Sequence, residues 1–160
     1  MTDGKPVVPF LCVHNAGRSQ TALGFFTRYA ADNAIAWSGG SEPGAEISEV
    51  TVATMAEKGI DISGEFPKPW TDEVVRPTDA VITMGCGDAC PILSGKKYEE
   101  WVLEDPAGQD LASVRPIRDE IEQRACTCWR SWASLRRHIG DIAPSSKLPG
   151  RRKPFNSDCC

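Results

Sequence analysis

Cys12, Arg18 and Ser19 stand in the order Cys-x5-Arg-Ser inside FLCVHNAGRSQ, residues 10 to 20. A thiol followed six positions later by a guanidinium is suited to attacking a tetrahedral oxyanion that the guanidinium holds. A cysteine closing an apolar run can equally be a small buried core residue. The intervening residues favour chemistry. Asn15 tolerates a left-handed backbone and Gly17 accepts one freely, so Val13, His14, Asn15, Ala16 and Gly17 can turn their amides inward. Closed by a helix starting at Arg18 or Ser19, such a loop makes a nest for an anion, with the helix dipole adding favourable potential. Arg18 would clamp two oxygens, and Ser19 can donate its hydroxyl to the sulfur. The same field favours the thiolate, which is the nucleophilic form. The His14 side chain is expected to support the loop or face solvent.

These residues need elements that place them. PVVPFLCV is too short for a helix and reads as a strand buried on both faces, ending at Cys12. RSQTALGFFTRYAADN then has helical spacing, with Asn33 as its stop. A second strand is read in AIAWSGGSEPG, and a helix in SEVTVATMAEKG with Ser48 as N-cap and Gly59 beyond its end. DAVITMG gives a third strand, and YEEWVLEDPAG carries a short fourth that ends at Asp105. Val114, Ile117, Ile121, Ala125, Cys128, Trp132, Leu135 and Ile139 recur at helical intervals and predict a long last helix. Pro116 fits there only in the first turn, which puts the start near Ser113. Strands alternating with helices predict a four-stranded parallel sheet between helical layers, an α/β/α domain over residues 1–143. Residues 144–160, rich in Pro, Ser and basic side chains, read as a mobile tail.

In a parallel sheet, ligands gather outside the carboxyl ends of the strands. Cys12, the GCGDAC segment with Cys86 and Cys90, and Asp105 all fall at such ends.

Composition narrows the classes. The chain has 160 residues, a net charge of -4 and scattered basic residues, which argues against a nucleic-acid reader. Neither a secretion-type leader nor an apolar stretch long enough to span a bilayer is evident, so a cytoplasmic protein with reduced thiols is expected. Zinc is the main competing use for seven cysteines. However, the pairs Cys86/Cys90 and Cys126/Cys128 match no common structural zinc spacing, and Cys128 lies on the apolar stripe. No metal site is therefore expected. Cys126 should point away from that stripe, and the vicinal Cys159 and Cys160 have no evident task. Trp101, close to Asp105 in sequence, is a candidate to border the site.

CVHNAGRS with a later EDP resembles the signature of the low-molecular-weight tyrosine phosphatase fold, and VITMGCGDACP, WVLEDPAGQ and VRPIRDEI resemble its arsenate reductase branch. The likeness runs from about residue 7 to residue 139. It implies a four-stranded parallel sheet, an anion loop from Cys12 to Arg18 with Cys12 as nucleophile, and Asp105 as catalytic acid. The family's phosphatases carry tyrosines after the Asp-Pro, whereas Ala107 and Gly108 stand here, so the substrate is expected to be small. The reductase branch implies that Cys86 attacks the cysteine-arsenic adduct and that Cys90 passes the disulfide to thioredoxin. The four-residue step between those cysteines is closer than that relay normally shows. Mycothiol with a mycoredoxin is the alternative reductant. The competing functions are a tyrosine phosphatase and a thiol-based metal or arsenite binder. No tightly bound cofactor is expected.

Overall fold

Six consecutive buried residues, VVPFLC, form strand β1 (Val7–Cys12), as an apolar run covered on both faces should. The computed structural model describes residues 5–85 and 96–140, with side chains as far as 134. Helix α1 (Arg18–Ala30) and a short 3-10 turn lead to β2 (Ile35–Gly40). Helices α2 (Glu49–Ala56) and α3 (Asp72–Val75) precede β3 (Ala80–Thr83), which is followed by β4 (Lys97–Glu100) and α4 (Leu111–Gly140). The strands pair in parallel in the order β2-β1-β3-β4. The expected four-stranded α/β architecture is thus present. Pro9 sits in the central strand, where it can donate no ladder bond. The β1–β3 register accordingly begins after it, at Phe10 opposite Ile82.

The two faces of β1 are divided by the two-residue alternation of a strand. Val8, Phe10 and Cys12 join the main core with Phe25 and Phe26 of α1 and Ile121, Ala125, Cys128 and Trp129 of α4. Leu11 faces the other way, onto Val81 and Val75. Aromatic rings tie the main layer together, with Phe10 and Phe26 centroids 5.3 Å apart and Phe26 meeting Trp129 edge-on at 5.9 Å. Cys12 therefore leaves the sheet on the side that α1 covers.

Several expectations need correction. Helix α4 begins at Leu111, so Pro116 lies inside it rather than in its first turn. Asp110 makes the earlier start possible, because its carboxylate accepts from Ser113 N–H at 2.9 Å and its carbonyl from Val114 N–H at 3.0 Å. Strand β4 stops at Glu100, and Asp105 stands in the loop beyond it rather than at its end. Trp101 is fully buried in the core, its indole N–H donating to Glu99 at 2.8 Å, and does not border the site. The four-residue α3 carries no period long enough to be read from sequence. Cys126 does point off the apolar stripe, yet it is only 2% exposed. The tail 144–160 and the segment with Cys86 and Cys90 lie outside the described residues.

Candidate active site

The loop after β1 is shaped by Asn15, which adopts the left-handed conformation (φ 50°) and is completely buried. Its side chain acts as a strut. Oδ1 accepts from Lys68 N–H at 3.0 Å and from Gln20 Nε2 at 3.1 Å, and Nδ2 donates to Ser19 Oγ at 2.7 Å. Since Ser19 Oγ already accepts that bond, its own hydrogen is left for Cys12 Sγ, 2.8 Å away. The backbone N–H of Asn15 donates to the same sulfur at 3.2 Å. Two donors thus converge on Sγ, an arrangement that stabilises negative charge on sulfur.

Gly17 was expected to share the left-handed role, but its φ is -142°. Its lack of a side chain has another reason. A Cβ there would stand 3.0 Å from Pro106 Cγ, so glycine lets the loop after β4 close over the site. Gly17 is also the N-cap of α1, with no side-chain cap and no acidic residue in the first turn. The first N–H groups of the helix and its dipole are therefore directed at the pocket without a competing carboxylate.

Cys12, His14, Ala16, Gly17, Arg18, Ser48, Asp105, Pro106 and Ala107 line a cavity of about 60 Å³. Arg18 and Asp105 face each other across it, Nη2 to Oδ2 at 3.8 Å, with the arginine largely buried and the carboxylate largely exposed. Asp105 is held by Ala107 N–H, which donates to Oδ1 at 3.0 Å. Of the loop residues expected to hold substrate, Val13 turns to the small second cluster, and Asn15 and Ser19 act from behind the cysteine. The exposed His14 side chain lies at the rim and is tied to the Glu42 carbonyl at 3.1 Å. No phenylalanine, tyrosine or tryptophan lines the cavity among the described residues.

Three contributors escaped the sequence reading. Gln20 is 1% exposed, and its Nε2 reaches the Asn15 carbonyl, Asn15 Oδ1 and the Phe66 carbonyl. A polar residue on the inward face of an amphipathic helix was the available signal. Ser48 lines the cavity although it had been assigned only a capping role. Gly85 has φ 79°, and a Cβ there would be 2.8 Å from Arg18 Nη1. The end of the β3 strand segment therefore presses on the guanidinium, and the next residue in the chain is Cys86. Among the described residues, no group of three His, Cys, Asp or Glu side chains forms a possible metal site.

Comparison with known proteins agrees with this geometry. Residues 7–139 match the family described as low molecular weight phosphotyrosine protein phosphatase. A Synechocystis protein named glutaredoxin arsenate reductase is 36% identical over 120 residues, 73% of this chain and 91% of its own. The structure of a thioredoxin-dependent arsenate reductase from Corynebacterium glutamicum is similar with a TM-score of 0.71 and 46% identity, covering 79% of this chain and 61% of that one. This chain therefore spans about three fifths of the Corynebacterium protein's length. An arsenate reductase structure from Archaeoglobus fulgidus gives a TM-score of 0.64 at 32% identity, covering 74% and 94% of the two chains.

Proposed function

The chain belongs to the low molecular weight phosphotyrosine protein phosphatase family, and within that family we propose that it is an arsenate reductase. The carrying observation is the small cavity in which the Cys12 sulfur, the start of α1, Arg18 and Asp105 converge with no aromatic wall among the described residues. Such a site accommodates an inorganic oxyanion, and its described lining presents no phenylalanine, tyrosine or tryptophan face to stack on an aryl ester. The names borne by the relatives from Synechocystis, Corynebacterium and Archaeoglobus favour the same reading.

In the proposed reaction, arsenate oxygens are held by Arg18, by loop amides and by the first N–H groups of α1. Cys12 Sγ attacks arsenic while Asp105 gives its proton to the departing oxygen, which leaves as water. The second step reduces arsenic. The Cys86 thiolate attacks Cys12 Sγ, the electron pair of the sulfur-arsenic bond passes to arsenic, and arsenite leaves behind a Cys12–Cys86 disulfide. Gly85 packed on Arg18 supports this role, because it brings the chain to the cavity one residue before Cys86. Cys90 then attacks Cys86, freeing Cys12, and thioredoxin reduces the resulting disulfide. Cys86 and Cys90 lie outside the described residues, so their part rests on sequence position and on this approach of the chain. No tightly bound cofactor enters the scheme.

The deciding experiment supplies arsenate and follows NADPH consumption with thioredoxin and its reductase, and separately with mycothiol and mycoredoxin. Turnover with thioredoxin that stops in Cys86→Ser and Cys90→Ser variants is expected. Turnover only with mycothiol, surviving in those variants, would overturn the internal relay. Rapid hydrolysis of an aryl phosphate without arsenate reduction would make the chain a phosphatase instead. Stoichiometric zinc or arsenite binding without turnover would make it a metal binder.

A further inference from the structure

The anion loop presents a ligand with donors. Every carbonyl from Cys12 to Gly17 is already engaged within the protein. Those of Cys12, Val13, His14 and Ala16 accept from the N–H groups of Ser41, Glu42, Gly44 and Ser48 at 2.8–3.2 Å. The Asn15 carbonyl accepts from Gln20 Nε2 at 3.2 Å, and that of Gly17 from Thr21 N–H at 3.0 Å. With its carbonyls held by this outer frame, the loop offers N–H groups, to which Arg18 adds its own.

Such a cradle suits bare oxygens, but arsenate at neutral pH carries at least one As–OH group, and a buried hydroxyl proton needs an acceptor. In the reaction above, Asp105 meets the departing oxygen as a proton donor and Cys12 Sγ approaches arsenic itself. Ser48 is the other polar side chain brought to the cavity beside them. It occupies the N-cap position of α2, yet its side chain makes no cap hydrogen bond. Its backbone N–H donates to the Ala16 carbonyl at 3.0 Å, so the hydroxyl is carried on a peptide tied to the anion loop. One turn further along the same face, Thr51 Oγ1 is buried without a hydrogen-bond partner among the described residues, and a Cβ on Gly17 would stand 3.6 Å from it. The face of α2 that meets the loop thus carries two hydroxyls for which the described fold has no use.

We propose that Ser48 is a substrate-binding residue, its Oγ accepting a hydrogen bond from an As–OH group that stays on arsenic while Cys12 attacks. The assignment rests on the cavity holding an inorganic oxyanion, as the reductase reading has it. His14 also lines the cavity, but its ring is exposed and held at the rim by the Glu42 carbonyl, whereas Ser48 is half-buried. The contact is present in the bound substrate and persists through the attack, so it contributes to affinity rather than to the chemical step.

Kinetics and stability together separate this role from capping. Ser48→Ala should raise the KM for arsenate about five- to tenfold and leave kcat within about twofold, and Ser48→Thr, which keeps the hydroxyl, should restore most of the affinity. Because no cap bond is lost, the Tm of Ser48→Ala should stay within about 1 °C of the parent, whereas loss of a working cap would lower it by about 2–4 °C. A fall in Tm with KM unchanged would return Ser48 to capping and overturn the proposal.

A binding measurement tests the acceptor directly. Inorganic phosphate, which carries a P–OH group at neutral pH, and sulfate, which carries none, are titrated into the reduced full chain while the amide NMR signals of residues 13–18 are followed. In Ser48→Ala, phosphate affinity is expected to fall by the same factor as arsenate affinity, and sulfate affinity to change less than twofold. Equal weakening of both anions, an unchanged phosphate affinity, or a larger loss in His14→Ala would overturn the proposal. The titration needs no turnover, which keeps the two readings apart: the expected phosphate and sulfate pattern without arsenate reduction removes the reductase alone, and arsenate turnover with KM and phosphate affinity unchanged in Ser48→Ala removes the Ser48 contact alone.

Discussion

Cys12 and Cys128 are almost equally hidden, at 3% and 5% exposure, and both belong to the main core, yet their surroundings prepare them for opposite fates. Around Cys12 the chain turns polar within three residues, and the sulfur meets the Asn15 N–H and the Ser19 hydroxyl beside the open start of a helix. Cys128 sits mid-helix among apolar side chains. Burial pushes its thiol up to about 12, with Glu99 adding to the rise and Lys97 opposing it. Burial alone therefore does not decide whether a cysteine is inert; the hydrogen-bond donors that meet its sulfur do.

The largest test exchanges the sulfur at each position. Cys12→Ser should lower arsenate turnover by at least about 1,000-fold with any electron donor, because an alcohol in the same cradle is a far poorer nucleophile. Cys128→Ser should leave turnover within about twofold. Comparable losses in the two variants would mean that Cys12 acts through packing. Asp105→Asn comes next. The side chain is 56% exposed and closes no core contact, so the folded state should be unaffected while turnover falls about 100-fold, as expected for a lost proton donor. Labelling gives a third, graded test. Iodoacetamide at neutral pH should modify Cys12 and be blocked by arsenate or phosphate, whereas Cys128 should react only once the protein unfolds.

This contrast was partly legible from sequence. Val8, Phe10 and Cys12 announced a buried strand end, Asn15 announced a left-handed turn, and the 3- and 4-residue recurrence through Ile117, Ile121, Ala125 and Cys128 announced the core face of α4. These signals are periodic or local, so they survive without knowledge of the fold. What could not be read depends on contacts distant in sequence. Gln20 serves the loop because Asn15 and Phe66 come to it, and Gly17 is needed because Pro106 closes on it. The burial of Cys126 is of the same kind, since a residue off the apolar stripe gives no periodic sign that it is covered. Asp105 was identified as a residue but displaced as a position, because a strand that ends at Glu100 and a loop that continues its extended path look alike in composition.

The packing side of the comparison should be visible in stability. Cys128→Ala removes a sulfur from the main core and should cost about 1 kcal/mol, a drop in Tm of about 2–4 °C for a chain of this size. Cys12→Ala, at a strand end beside a cavity, should cost no more. A greater loss at Cys12 would show that the loop depends on its sulfur for structure.

The smallest expected effect concerns the hold that keeps α4, and with it Cys128, against the rest of the molecule. Glu57, just past α2, accepts from Arg115 Nη2 at 2.7 Å and from Arg118 Nη1 at 2.7 Å. Those bonds hold its carboxyl at about 2, below the ordinary 4.5, with the Arg115 hydrogen bond the largest cause. A carboxyl depressed in the folded state contributes its full stabilisation above its unfolded value and loses it as the pH falls through the folded one. The pair should therefore support the fold above about pH 4.5 and fade towards pH 2. Glu57→Gln should flatten that part of the stability profile, measured by urea unfolding at stepped pH, and leave alkylation of Cys12 at neutral pH unchanged. The ion pairs are exposed on the Glu57 side, so salt should shrink the difference between parent and variant. If the variant instead accelerated labelling of Cys128 in the native protein, the protection of that thiol would depend on the clamp as well as on apolar burial.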